Sequence, residues 1–280
     1  MFCDTDLASR IERAECELLT ALHARVAVRR HDTFSMPIGG GFAVFAAAGS
    51  PLNKVAGLGF APFDDGAWAA IEAEHERRSA ELRVEIATLA APTIARRLTA
   101  RGHELVAVEN VLGRTLLANG AMPTLPPGIT VERSPDHDLE SWLVATVTGF
   151  AQPDTQGVPS GETFDRSALE AAIRGVAEAP GFVRFVAHRD GELAGTATVR
   201  VSGDVAQLCG ATTLPAHRRR GVQSALLATR LAFAARSGAT LAVVTTEPGS
   251  KSQQNTMKNG FALLYARNVL VRSPRTAVGD

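Results

Sequence analysis

The chain has 280 residues, 45% hydrophobic and 21% charged, enough for two ordinary domains or one large one and too apolar for a disordered chain. Lysine plus arginine and aspartate plus glutamate balance at 29 each, which counts against a nucleic-acid binder with its basic excess. Cys3, Cys16 and Cys209 show no CxxC spacing, which argues against a disulfide framework or a zinc site and fits a reducing compartment. The first residues carry acids and no apolar core of a signal peptide, and no run of about eighteen apolar residues occurs. A soluble cytoplasmic protein is expected, bacterial in style from its alanine and arginine richness.

In chain order, residues 7–28 read as one long helix. FAVFAAAG (42–49) and KVAGLGF (54–60) read as strands joined by a Gly-Ser-Pro turn. Asp64 and Asp65 are candidate N-caps of a helix through residues 64–80. ELRVEIATL (81–89) alternates, with Leu82, Val84 and Ile86 on one face. Pro92 opens a helix ending at Gly102, and residues 104–116 close the half as a strand or strand pair. Pro123, Pro126, Pro127 and Gly128 then mark an extended linker.

Beyond the linker, ITVERS (129–134) reads as a strand, followed by helices at 138–151 and 167–178, the second stopped by Pro180. Residues 182–214 hold three strands separated by the hairpin turns Asp190-Gly191 and Gly203-Asp204. A helix, a strand at 240–246, a short helix near 252–259 and a strand at 261–271 complete a layered α/β order. The first half repeats the later part of this series, which predicts a duplicated domain with a worn first copy. The expected organisation is residues 1–120, a linker at 121–128, and residues 129–275.

The stretch PAHRRRGVQSALLATRLAFAARSG carries the functional signal. Apolar positions recur at Val222, Ala225, Leu226, Thr229 and Phe233, so a helix begins at about Gly221, directly after a strand and a turn. Helix starts present unpaired N–H groups and the positive end of the dipole, and glycine lets the backbone close on a ligand. Arg218, Arg219 and Arg220 raise the local potential, so the turn reads either as a phosphate cradle or as a solvated loop. No Gly-Lys-Ser or Gly-Lys-Thr follows, which excludes a Walker loop, and a dinucleotide fingerprint lacks its other glycines.

LCGATTLPAHRRRGVQSALL resembles the acyl-CoA-binding motif of the GNAT superfamily of N-acetyltransferases. Arg218, Arg219, Arg220, Gly221, Val222 and Gln223 occupy its six places, with Gln223 where glycine or alanine is usual. The resemblance implies two GNAT-like mixed-sheet α/β domains in tandem, the N-terminal one degenerate. It implies acetyl-CoA as cosubstrate, with pyrophosphate on the N–H groups of Arg219 to Ser224 and pantetheine paired along Ala211, Thr212 and Thr213. Ser252 and Asn255 are further CoA contacts by the same resemblance, with helix capping by Ser252 and simple exposure of Asn255 as the alternative roles.

For the chemistry, the resemblance implies a backbone oxyanion donor near Thr213. The place of the base used in the histone-acetylating branch is Gln207, an amide that takes no proton; Glu247 is the candidate base, with an exposed loop acid ahead of Pro248 as its alternative role and water as the alternative proton acceptor. Thr256 stands where a tyrosine acid is usual, and Tyr265 is assigned to core or wall. The expected function is acetyl transfer to a primary amine of a small molecule by direct attack, with no nucleic acid, membrane or metal involved. The alternative is a non-catalytic acyl-CoA-binding regulatory or interaction module. The N-terminal half is expected to shape the acceptor cleft or a homodimer contact.

Overall fold

The computed structural model describes residues 1–117, 122–152, 158 and 166–274. Residue 121, where the expected linker begins, and residue 275, where the second domain is expected to end, lie outside them. The chain packs as two compact units: Phe2–Asn110 with residues 265–274, and Val111–Leu264 with Met1.

The N-terminal unit contains α1 (Thr5–Ala27), β1 (Phe34–Ile38), β2 (Gly41–Phe45), β3 (Lys54–Ala56), α2 (Asp65–Arg77), β4 (Leu82–Ala87), α3 (Pro92–Ala100) and the first part of β5 (Glu104–Thr115). Its strands run in the order β1-β2-β3-β4-β11, where β11 is Ala262–Arg272, the last strand of the chain. β11 lies antiparallel to β4, with Arg267 opposite Ala87 and Arg272 opposite Leu82. A strand read above as closing the second domain thus gives its residues from Tyr265 to Arg272 to the first unit.

Two local features differ from expectation. β1 is not anticipated, because Pro37 interrupts its pattern; a sheet edge tolerates the missing donor, and β1 is the outermost strand of this unit. The strand expected over 54–60 stops at Ala56, and Gly57 and Gly59 follow at φ 73° and 101°, outside the extended range. Residues 104–115 form one strand, the first of the two readings given for them.

The C-terminal unit contains β6 (Ile129–Arg133), α4 (Leu139–Ala151), α5 (Arg166–Glu178), β7 (Phe182–Arg189), β8 (Glu192–Ser202), β9 (Val205–Thr213), α6 (Val222–Arg236), β10 (Leu241–Thr246) and α7 (Lys251–Lys258). Its strands follow the order β10-β9-β8-β7-β6, all antiparallel except the β9–β10 pair. Successive side chains on a strand point to opposite faces. A Cβ on Gly195 would meet Val222 and Leu226 of α6, whereas the next residue, Thr196, shares a hydrogen bond of 2.7 Å with Thr146 of α4. The two helices therefore cover opposite faces of the sheet. Val199, Ala206, Leu226 and Ala234 are fully buried on the α6 side. A side chain the size of Leu226 contributes about 1.5–3 kcal/mol by that burial.

Candidate active site

Two irregularities of β9 open the site. Parallel pairing with β10 covers only Val205, Ala206 and Gln207, opposite Leu241, Ala242 and Val243, so both strands continue beyond it without each other. On the other side, Thr196 faces Thr212 and Thr198 faces Cys209, which leaves Gly210 and Ala211 opposite Ala197 alone. This is a β-bulge, the device that bends a strand and releases its backbone groups from the ladder. Gly210 sits there at φ 55°.

The chain then turns through residues 215–217 into α6, whose N-cap is Gly221 at φ 88° and ψ −4°. That left-handed backbone favours glycine, and a Cβ there would also press on Pro126 Cγ at 3.1 Å. No side chain caps the helix. Its first turn closes with the Ala225 N–H donating to Gly221 O at 3.0 Å, so the N–H groups of Val222, Gln223 and Ser224 lie outside the helical ladder. The uncapped start of α6 opens on a cleft of about 520 Å³.

Of the residues singled out in the sequence, Ala211, Thr212, Thr213, Arg218, Arg219, Gly221, Val222, Gln223, Ser224, Glu247, Ser252 and Asn255 line this cleft; Arg220 does not. The three arginines differ in surroundings. Arg218 is half-buried and donates from Nε to Thr213 O at 3.3 Å and from Nη2 to Gln152 O, so it braces the turn. Arg219 and Arg220 are exposed, and Arg219 adopts φ 61°.

Gln207 is buried and accepts a bond from Arg200 Nη1 at 3.2 Å. Thr256 donates to Ser252 O at 2.8 Å. Tyr265 is buried in the N-terminal unit, where its hydroxyl donates to Glu12 Oε1 at 2.5 Å and burial pushes its pKa up. Ser250, not Ser252, caps α7 by accepting from the Gln253 N–H at 3.1 Å. No group of three or more potential metal ligands occurs among the described residues.

Several lining residues escape sequence reasoning, and two of them shape the site. Gly149 of α4 lines the cleft, and a Cβ there would fall 2.0 Å from Thr212 Oγ1, so its lack of a side chain lets α4 approach β9. Arg230 of α6 lines a deeper pocket of about 180 Å³ that shares Ala211, Gln223 and Ser224 with the cleft. It is buried, and burial without a carboxylate beside it brings its pKa down to about 10. The available signal is helical spacing: Leu226, Leu227 and Ala234, at i−4, i−3 and i+4, put Arg230 on an apolar face.

The profile of the acetyltransferase (GNAT) family matches residues 146–261. Those residues form a GNAT domain. Among solved structures, a GCN5-related N-acetyltransferase from Kribbella flavida superposes with a TM-score of 0.67 at 20% identity, over 97% of each chain. A tandem GNAT protein from the clavulanic acid biosynthesis pathway superposes with a TM-score of 0.60 at 12% identity, over 85% of this chain and 80% of its own. A GCN5-related N-acetyltransferase from Sphaerobacter thermophilus gives 0.57 at 16% identity, over 77% and 69%. No curated protein matches the chain. The likeness extends through the mixed sheet beyond the matched residues, so the fold is that of GNAT acetyltransferases. Within the GNAT domain, the glycine-headed helix opens on the larger cleft, and the bulge at Gly210 and the β10 residues Val244 and Thr245 line the smaller pocket that shares residues with it.

Proposed function

We propose that the protein transfers the acetyl group of acetyl-CoA to a primary amine of a small molecule by direct attack. The observation that carries this reading is the uncapped start of α6 at Gly221, opening on a cleft that the part of β9 without a β10 partner also lines. Pyrophosphate binds the N–H groups from Arg219 to Ser224, with the helix dipole and the two exposed arginines adding positive potential. The pantetheine arm extends β9 as an added strand along Ala211 to Thr213, using backbone groups without a β10 partner.

In the transfer, the amine nitrogen bonds to the thioester carbon, the C–S bond breaks, and the proton lost by nitrogen balances the departing thiolate. A main-chain N–H in the stretch from Gly210 to Thr213 stabilises the oxyanion, with Thr213 the donor that the family resemblance implies. Glu247, half-buried at the cleft, takes the amine proton. Zero net charge supports a small acceptor over a nucleic acid or an acidic protein. We assign the N-terminal unit to a GNAT-like copy that no longer binds CoA.

Calorimetric titration of acetyl-CoA and free CoA into the wild type and Gly221→Glu tests the cradle. Micromolar binding abolished by the substitution supports it, and no wild-type binding overturns the reading. A panel of amines followed by thiol release then tests turnover. One observation favours the second reading, a non-catalytic acyl-CoA module: Gln207 and Thr256 stand at the usual acid–base positions and bond to Arg200 and Ser252. CoA binding with no thiol release for any amine decides for the module.

A further inference from the structure

Arg230 is the buried group that acetyl transfer leaves without a task. Its exposure is 2%. Nε donates to Leu226 O at 3.2 Å, and Nη1 donates to Thr198 O at 3.0 Å and Cys209 O at 3.3 Å. These bonds use three of the five N–H groups of a guanidinium. Nη2 has no hydrogen-bond partner among the described residues, and no carboxylate among them pairs with the charge, whose ionisable neighbour is the Cys209 thiol. A buried charge is tolerated when an opposite charge and hydrogen bonds satisfy it, and carbonyl oxygens alone supply only part of that.

The deeper pocket is where the missing charge has room. Arg230 lines it together with Leu208, Gly210, Val244, Thr245 and Thr256. Along α6 its lining runs from Gln223 to Arg230, and along β9 from Ala211 back to Leu208, in both cases away from Gly221. A donor with pyrophosphate at the helix start and its arm along Ala211 to Thr213 therefore points its acyl end into this pocket. Ala211, Gln223 and Ser224 also line it, so the donor arm enters this pocket ahead of its acyl group. An acetyl group brings nothing anionic to the guanidinium.

We infer that the pocket selects a dicarboxylic monoacyl-CoA of malonyl or succinyl size, whose free carboxylate is held by Arg230. This rests on the acyl-donor reading above and changes only the acyl group. Arg230 remains charged at neutral pH, since even in its buried state it titrates at about 10. Charge-assisted bonds to a carboxylate are the strongest a guanidinium makes. The reaction stays an amide formation: nitrogen bonds to the thioester carbon, the C–S bond breaks, the nitrogen proton balances the thiolate, and the distal carboxylate is untouched.

The test is calorimetry on the full chain with free CoA, butyryl-CoA and succinyl-CoA, the last two matched in chain length. The expected wild-type result is succinyl-CoA bound about tenfold or more tighter than butyryl-CoA. In Arg230→Met the ratio of the two dissociation constants falls to about one. Equal affinities in the wild type overturn the inference, as does a wild-type preference that survives the substitution. If the methionine variant does not fold, Arg230→Lys replaces it: a reduced ratio supports the assignment and an unchanged one overturns it. Failure of the acyl-donor reading looks different, because then free CoA does not bind either.

Discussion

Two helices in this chain follow a strand and a turn in the same order, α2 after β3 and α6 after β9, and their first turns are in opposite states. At α2 the Asp64 carboxylate accepts from the N–H groups of Gly66 and Ala67 at 2.8 and 3.0 Å. Asp65 beside it pairs with Arg97 and Arg101, and the Arg97 hydrogen bond holds its carboxyl below the usual range. The positive end of that helix is satisfied from within. At α6 the same place is held by Gly221, with no side chain to cap it and arginines in front of it. The electrostatic property is common to both helices. One aspartate or one glycine decides whether the helix keeps it or offers it to a ligand.

The largest expected effect comes from making α6 resemble α2. Gly221→Glu places a carboxylate at the helix start, forces a side chain into φ 88° and presses on Pro126. CoA affinity should fall about a hundredfold or more by calorimetry, with far-UV circular dichroism unchanged. A variant that binds CoA as the wild type does would place the donor elsewhere and end the comparison. Gly149→Ala comes next. Its Cβ would lie 2.0 Å from Thr212 Oγ1, so α4 or β9 must shift. Overpacking of this kind costs about 1–3 kcal/mol, to be read by urea unfolding, and CoA affinity should weaken with it.

The N-terminal unit sharpens the contrast in another way, because it has spent its interior on charge. Glu12, Glu15, Glu85 and Glu109 are ion-paired there with Lys54, Arg83 and Arg267. Burial first, then the Glu85 charge, push Glu109 from its ordinary 4.5 up to about 7. Between those values the folded state holds a proton that the unfolded state has released, so this group makes stability fall as pH rises through the window and stay level above it. Burial lowers His103 to about 4, which gives the opposite slope in the wild type between about 4 and its ordinary 6.5. The difference between variant and wild type isolates the carboxyl. Glu109→Gln should gain stability relative to wild type from pH 5 to pH 7 and hold the gain at pH 8, on the order of 1–3 kcal/mol in urea titrations. A difference that does not change with pH would show that Glu109 titrates normally.

What the sequence made legible follows the range of the interactions involved. The hairpin turns Asp190-Gly191 and Gly203-Asp204 and the start of α6 are local, written in residue type and period, and they stand where expected. The exchange of β11 is not local: Arg267 pairs with Ala87, and nothing in the composition of either strand names a partner so far away. The bulge at Gly210 is likewise a property of two strands. Gly149 reads as an ordinary helical glycine until Thr212 is set beside it. Arg230 is hidden for a different reason. A charge in a helix reads as solvated, and only the apolar residues around it at helical spacing show that it faces inward.

The smallest effect tests the α2 side of the comparison. Asp64→Ala removes the cap, and the Gly66 and Ala67 N–H groups lose the carboxylate that now accepts from them. Loss of such a cap costs about 1 kcal/mol, visible as a lower urea midpoint at unchanged slope. It should not create a second CoA site, because Asp65 remains and no arginine-rich turn precedes the helix. Calorimetry of this variant should therefore return the wild-type stoichiometry. A second equivalent of CoA would mean that the cap alone had closed the first copy, so that the two halves differ in one residue rather than in a whole turn.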